Sequence, residues 1–176
     1  MLSFAEERLA EAKACVELNR TEFIKKLLEE VTDEFSSSIQ TVNAMELEGK
    51  DTTQLQERVY IATQKHLIVL SELMDRVPDE AKVPLEHAFN VSSKGHKTAW
   101  ERIKEKNPVK AVELSLSTCE ILIGRIEHLV EQKKTEATEK LVKIYKEEMV
   151  SAQEALERSR ALGLNTTKLI EHVNNV

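Results

Sequence analysis

Residues that break or bend a chain are scarce here. There are four glycines, three prolines and one tryptophan among 176 residues, and aromatics make up 4%. With so few breakers and so much Ala, Leu, Glu and Lys, the chain reads as helix, because these residues lose little rotamer freedom there. No alternating stretch marks a strand or hairpin, and the β-branched residues fall at helical spacing. No apolar run approaches the ~18–20 residues of a membrane-spanning helix. The opening MLSFAEERLAEAKA is amphipathic and acidic, unlike a signal peptide. The chain reads as soluble, while a parent protein could still be exported. The two cysteines, Cys15 and Cys119, lie inside helical patterns and suit small buried apolar roles. Two thiols do not fix a compartment. An excess of positive charge is also missing: the net charge is −6. Lysine-rich pieces such as Lys104–Lys106 and Lys133–Lys134 are diluted by glutamate, which excludes a phosphate-binding face for nucleic acid. The acidic balance also argues against a membrane-surface layer.

What remains is helical periodicity. The most hydrophobic run, 53–77, carries Leu55, Val59, Ala62, His66, Val69, Leu73 and Val77 at spacings of three and four. Further apolar residues beside that stripe widen its buried arc, so it reads as the central helix of a bundle. Before it, a seam of Leu2, Ala5, Leu9, Ala12 and Val16 predicts a helix over 3–18 with Ser3 and Glu6 as a capping box. A second helix follows over 22–47, capped by Thr21, with Phe23, Leu27, Leu28, Val31, Phe35, Ser38, Val42 and Met45 inward. Gly49 ends it, and Asp51, Thr52 or Thr53 caps the central helix, with Thr53 and Gln56 fitting a capping box. Pro78 starts a fourth helix over 79–106, in which Pro84 costs a hydrogen bond, so that the helix either kinks there or truly begins there after a short helical turn, and Gly95 is a weak spot. Asn107-Pro108 reads as a cap and first turn. Helices near 109–132, 136–161 and 166–174 follow.

The second set repeats the first. Displaced by 114 positions, Thr21-Glu22 falls on Thr135-Glu136, Lys26-Leu27 on Lys140-Leu141, Gly49 on Gly163 and Thr52-Thr53 on Thr166-Thr167. About three in ten positions match without a gap. The seam becomes Leu116, Cys119, Ile123, Ile126 and Val130. The expected fold is therefore all-α, an antiparallel bundle of long helices with an internal repeat. Residues 1–107 form a four-helix first copy and 108–176 an incomplete second copy. That incompleteness suggests a larger parent, or a partner that completes the bundle.

The pieces Lys65-His66-Leu67 with Val69-Leu70, Val77-Pro78 through Lys82, and Ser93-Lys94-Gly95-His96 resemble a helical domain family of archaeal and bacterial proteins. The opening Phe4-Ala5-Glu6-Glu7-Arg8-Leu9-Ala10 is similar to that family's first helix. The family has no established activity. The resemblance implies an exported or membrane-anchored parent.

No motif for catalysis or cofactor binding stands out. There is no HExxH, no Gly-rich phosphate loop, no CxxC, and no histidine with Glu three positions before it, as a ferritin-like di-iron site needs. His66 and His96 both lie on apolar stripes. One reading is two buried neutral imidazoles, each hydrogen-bonded. The alternative is a metal site between the third and fourth helices, which would need further ligands. His87 is half a turn out of phase with His96. His128 and His172 read as surface residues, and Trp100 as core. The functional expectation is a non-catalytic helical scaffold or protein-interaction module that takes a protein partner or self-associates, with no cofactor. The alternative is a metal-binding or sensing domain using His66 and His96.

Overall fold

A computed structural model describes residues 2–18 and 20–175, with the side chains of Leu2, Ser3, Thr21 and Asn175 outside the description. The described residues form seven helices and no strand: α1 (Leu2–Glu17), α2 (Thr21–Leu47), α3 (Thr53–Leu73), α4 (Asp79–Lys106), α5 (Pro108–Glu131), α6 (Thr135–Ala161) and α7 (Thr167–Asn175). The chain divides into two compact units, one ending at Ala99 and one beginning at Trp100. The division falls inside α4, not at Asn107, because the last turns of α4 are tied to α6. Lys104 donates to Glu154 (3.3 Å), and Arg158 donates to the carbonyl of Glu105 (3.4 Å).

In the first unit, α1 and α2 form an antiparallel hairpin that α3 and α4 cover. The core draws Leu9 and Ala12 from α1, Ile24, Leu28 and Phe35 from α2, Tyr60 and Leu70 from α3, and Leu85 from α4. Phe23, expected inside, is 53% exposed, and Ile24 takes the buried position in that turn at 0%. The apolar arc of α2 is wide enough for a neighbouring residue to win the core. Gly95 is a contact point. A Cβ there would lie 2.5 Å from Ile39 Cδ1 and 2.8 Å from Phe35 Cε1, so the missing side chain lets α4 approach α2.

Several helix ends differ from expectation. α3 stops at Leu73, four residues before Val77. Pro78 disfavours helical backbone at the residue before it, and the chain closes in a turn with Val77 N–H donating to Leu73 O (3.1 Å). α1 already contains Ser3, so Ser3 is not its cap. α2 begins at Thr21 itself, with Arg20 at the cap position and no side-chain bond there. Of the three candidates ahead of α3, Thr52 does occupy the cap, while Asp51 Oδ1 accepts from both Thr53 N (3.0 Å) and Thr53 Oγ1 (2.6 Å). α4 runs through Pro84 without ending. Asn107 does cap α5: its side chain accepts from Lys110 N at 3.1 Å, ahead of Pro108.

The repeat extends to the backbone bonds. Arg20 N–H bonds Cys15 O, and 114 positions later Lys134 N–H bonds Leu129 O. The end of α2 closes through Gly49 N–H to Glu46 O and Lys50 N–H to Met45 O. The end of α6 closes through Gly163 to Arg160 and Leu164 to Ser159. Gly49 and Gly163 adopt φ of +77° and +71°, a left-handed turn that only glycine takes without strain. Asp51 and Asn165 each accept from the backbone N–H of the threonine two residues on.

Candidate functional site

The two stripe histidines stand in different surroundings, both within the first unit. His96, on α4, stacks on Tyr60 with ring centroids 4.0 Å apart. Its Nδ1 lies 2.9 Å from Thr63 Oγ1 and 3.2 Å from Tyr60 O. Thr63 Oγ1 also donates to the helix behind it, at Val59 O (2.7 Å) and Tyr60 O (2.8 Å). This is a packed polar joint between α3 and α4.

His66 is different. It is 1% exposed, and among the described residues neither ring nitrogen has a hydrogen-bond partner. Its ring meets Phe35 edge-on at 5.3 Å. Burial pushes its pKa down to about 4, against a rise from Glu6 and a further lowering from Lys65. It is therefore neutral at pH 7, with one nitrogen a donor and the other an acceptor. A buried polar group left unpaired costs about 1–3 kcal/mol. Beside it, between α1 and α3, opens a cleft of about 240 Å³. Leu9, Ala10 and Val69 give it apolar walls, and Glu6, Lys13 and Lys65 stand among its lining residues. Lys65 pairs with Glu6 (3.5 Å) and Lys13 with Glu72 (3.1 Å).

Among the described residues no group of three or more His, Cys, Asp or Glu is placed to hold a metal ion. His87 and His128 are exposed, and His172 Nε2 lies 2.8 Å from Glu120 Oε1 on the surface of the second unit. Trp100 is 3% exposed with the Lys104 ammonium 4.3 Å from its ring centre. Cys119 is fully buried, and burial raises its thiol to about 12, so it is not a nucleophile at neutral pH. No described helix is long and apolar enough to cross a membrane.

The repeat exposes a feature that residue types alone did not show. Leu9, Ala12, Leu28, Val31 and Phe35 are 3%, 0%, 0%, 1% and 0% exposed in the first unit. Their counterparts in the second, Ile123, Ile126, Val142, Tyr145 and Met149, are only half-buried. Val130, expected on the inner seam, is 58% exposed. The second hairpin instead buries Leu122, Leu129, Ala137, Leu141 and Ile144. Its buried face is turned, and the apolar strip that α3 and α4 cover in the first unit is left partly open. Aligning burial at the 114-residue offset is the signal that finds this strip. Sequence identity hides it, because both copies are apolar there.

Residues 1–80 match the model of a family described as "Domain of unknown function (DUF5667)", a little under half of the 176-residue chain. The Ser93-Lys94-Gly95-His96 piece lies beyond that match. No curated protein matches the chain. A solved structure described as "Circular tandem repeat protein with novel repeat topology and enhanced subunit contact surfaces" is similar in fold, with a TM-score of 0.75 over 97% of this chain at 13% identity. The chain spans 37% of the length of that protein.

Proposed function

We propose that this chain is a non-catalytic helical-repeat scaffold whose second hairpin docks a helical partner. The half-open strip of Ile123, Ile126, Val142, Tyr145 and Met149 carries this reading. The first unit supplies the template for its occupant. The same face of the first hairpin is covered by a pair of amphipathic helices, α3 and α4, that meet it with apolar stripes. The expected partner is a helix or helix pair presenting such a stripe, and repeat folds complete their cores by this kind of stacking. The likeness to a tandem-repeat protein whose description stresses subunit contact surfaces is consistent with it. The family resemblance adds an exported or membrane-anchored parent as the expected setting, which fractionation of cells tests.

Sedimentation of the wild type and of Ile126→Glu at rising concentration tests the docking, together with hydrogen exchange in the presence of a peptide spanning residues 53–77. Association or peptide-induced protection of α5 and α6, abolished in the variant, is the expected result. A chain that stays monomeric at millimolar concentration, with α5 and α6 unprotected by the peptide, overturns it.

A further inference from the structure

Resting on the docking proposed at the second hairpin, we infer that its occupant is the α1–α2 hairpin of another copy of this chain, in a head-to-tail contact. The strip needs a helix pair with a free apolar face. The α3–α4 pair does not offer one, because its stripes already cover α1 and α2. The α1–α2 hairpin does. Its outer groove of about 470 Å³ is lined by Cys15, Leu18, Phe23 and Leu27, with Leu18 65% and Phe23 53% exposed. Large apolar side chains grouped in this way mark a contact surface.

Charge selects the same occupant. The rim of the strip is acidic. Glu127 and Glu131 on α5 and Glu139 on α6 are exposed and unpaired among the described residues, against one unpaired lysine, Lys146. The groove is lined by three cations, Arg8, Arg20 and Lys26, against two glutamates, Glu11 and Glu30. Arg20 is exposed and has no partner among the described residues. The first unit shows how such surfaces meet. The ion pairs Glu6–Lys65, Lys13–Glu72 and Glu17–Arg76 each span 59 positions, so α1 and α3 run parallel and the turns after them lie at the same end. Arg76 stands three residues past the end of α3, and Arg20 three past the end of α1. Glu131 is the counterpart of Glu17 at the 114-residue offset. A neighbouring hairpin laid on α5 and α6 in the same sense brings its Arg20 to Glu131, as Arg76 comes to Glu17 at 4.0 Å.

Groove and strip are different surfaces, so the contact is heterologous and passes from copy to copy, closing as a ring or running on as an open chain. Sedimentation of the full chain is the test. The wild type is expected to grow past a dimer as concentration rises. Phe23→Glu and Ile126→Glu are each expected to stay monomeric alone and to form a one-to-one dimer when mixed, since the first keeps the strip and the second the groove. Adding Arg20→Glu to the Ile126→Glu chain is expected to weaken that dimer about threefold, and Glu131→Arg in the Phe23→Glu chain to restore it. The proposal is overturned by a wild type that stays monomeric at millimolar concentration, a measurement that needs no variant to fold. If the 53–77 peptide still protects α5 and α6 of that monomer, docking at the second hairpin stands and only this occupant is wrong. Association that Phe23→Glu keeps on its own, a mixture of the two folded variants that gives no dimer, or a charge exchange that restores nothing also overturns it.

Discussion

The α1–α2 and α5–α6 hairpins share a backbone and differ in what fills the seam between their helices. In the first, Arg8 Nε reaches across to Glu30 Oε2 at 3.1 Å, and Arg8 also pairs with Glu11. Those two positions become Leu122 and Ile144 in the second hairpin, 1% and 7% exposed. Cys15 likewise becomes Leu129, and Phe23 becomes Ala137. The ion pair sits beside a groove of about 470 Å³ that Cys15, Leu18, Phe23 and Leu27 also line. The aliphatic pair is buried. One hairpin thus takes its stability from the helices laid over its other face, and the other from the seam itself. Turns and caps can be copied unchanged between two units while the buried side rotates, because a helix with a wide apolar arc does not specify which edge of it goes inside.

Exchanging the two pairs should break this contrast most sharply. Leu122→Arg with Ile144→Glu puts two charges into a dry seam and is expected to cost about 3–5 kcal/mol, from lost packing and desolvation. The reverse exchange, Arg8→Leu with Glu30→Ile, is expected to gain about 1 kcal/mol. The side chains of that pair are 29% and 36% exposed, so little is lost with it, and the new aliphatic groups fill part of the groove. Denaturant unfolding of both double variants decides it. Equal and opposite shifts of similar size would mean that the seams are equivalent after all.

The helix count, the hairpins, the glycine turns and the 114-residue offset were all legible in residue spacing. Each rests on local chemistry: Gly49 and Gly163 are needed at positive φ, and Asn107-Pro108 is a cap wherever it occurs. Burial was less legible. Phe23 and Ile24 both satisfy helical periodicity, and periodicity alone does not choose between them. The helix end at Leu73 was hidden for a similar reason, since apolar residues continue to Val77 and only Pro78 signals the turn. Of the candidate site, the positions of His66 and His96 on apolar stripes were readable. Their partners were not: the Thr63 bond that satisfies His96 and the lack of any bond at His66 arise from packing across helices.

Acid should separate the units by a smaller amount. The first unit buries a histidine whose pKa falls from 6.5 to about 4, while His128 and His172 of the second are not buried. Below pH 6.5 the unfolded chain takes up a proton at His66 that the folded chain refuses until about pH 4. The stability it contributes is complete above 6.5 and is lost as pH falls across that window, by at most about 3 kcal/mol. Hydrogen exchange in α1 and α3 is therefore expected to accelerate between pH 6.5 and 4 before exchange in α5 and α6 does. In His66→Phe the two units should respond alike. If the wild-type units lose protection together, or the variant keeps the difference, His66 is not its source.

The smallest contrast is between two glycines inside helices. Gly95, in the first unit, is where α4 meets Phe35 and Ile39, and an added methyl would come within 2.5 Å of Ile39. Gly124, in α5, has none of the described residues within 4 Å of the same added atom, and its counterpart in the first copy is Ala10. At Gly124 only the backbone entropy of glycine matters, so Gly124→Ala should stabilise by about 0.5–1 kcal/mol. At Gly95 the same entropic gain is outweighed by overpacking, and Gly95→Ala should destabilise by about 1–3 kcal/mol. Thermal or denaturant midpoints of the two variants give the answer directly. Stabilisation by both would mean that Ile39 can turn aside at no cost, and that the close approach of α4 to α2 does not require glycine.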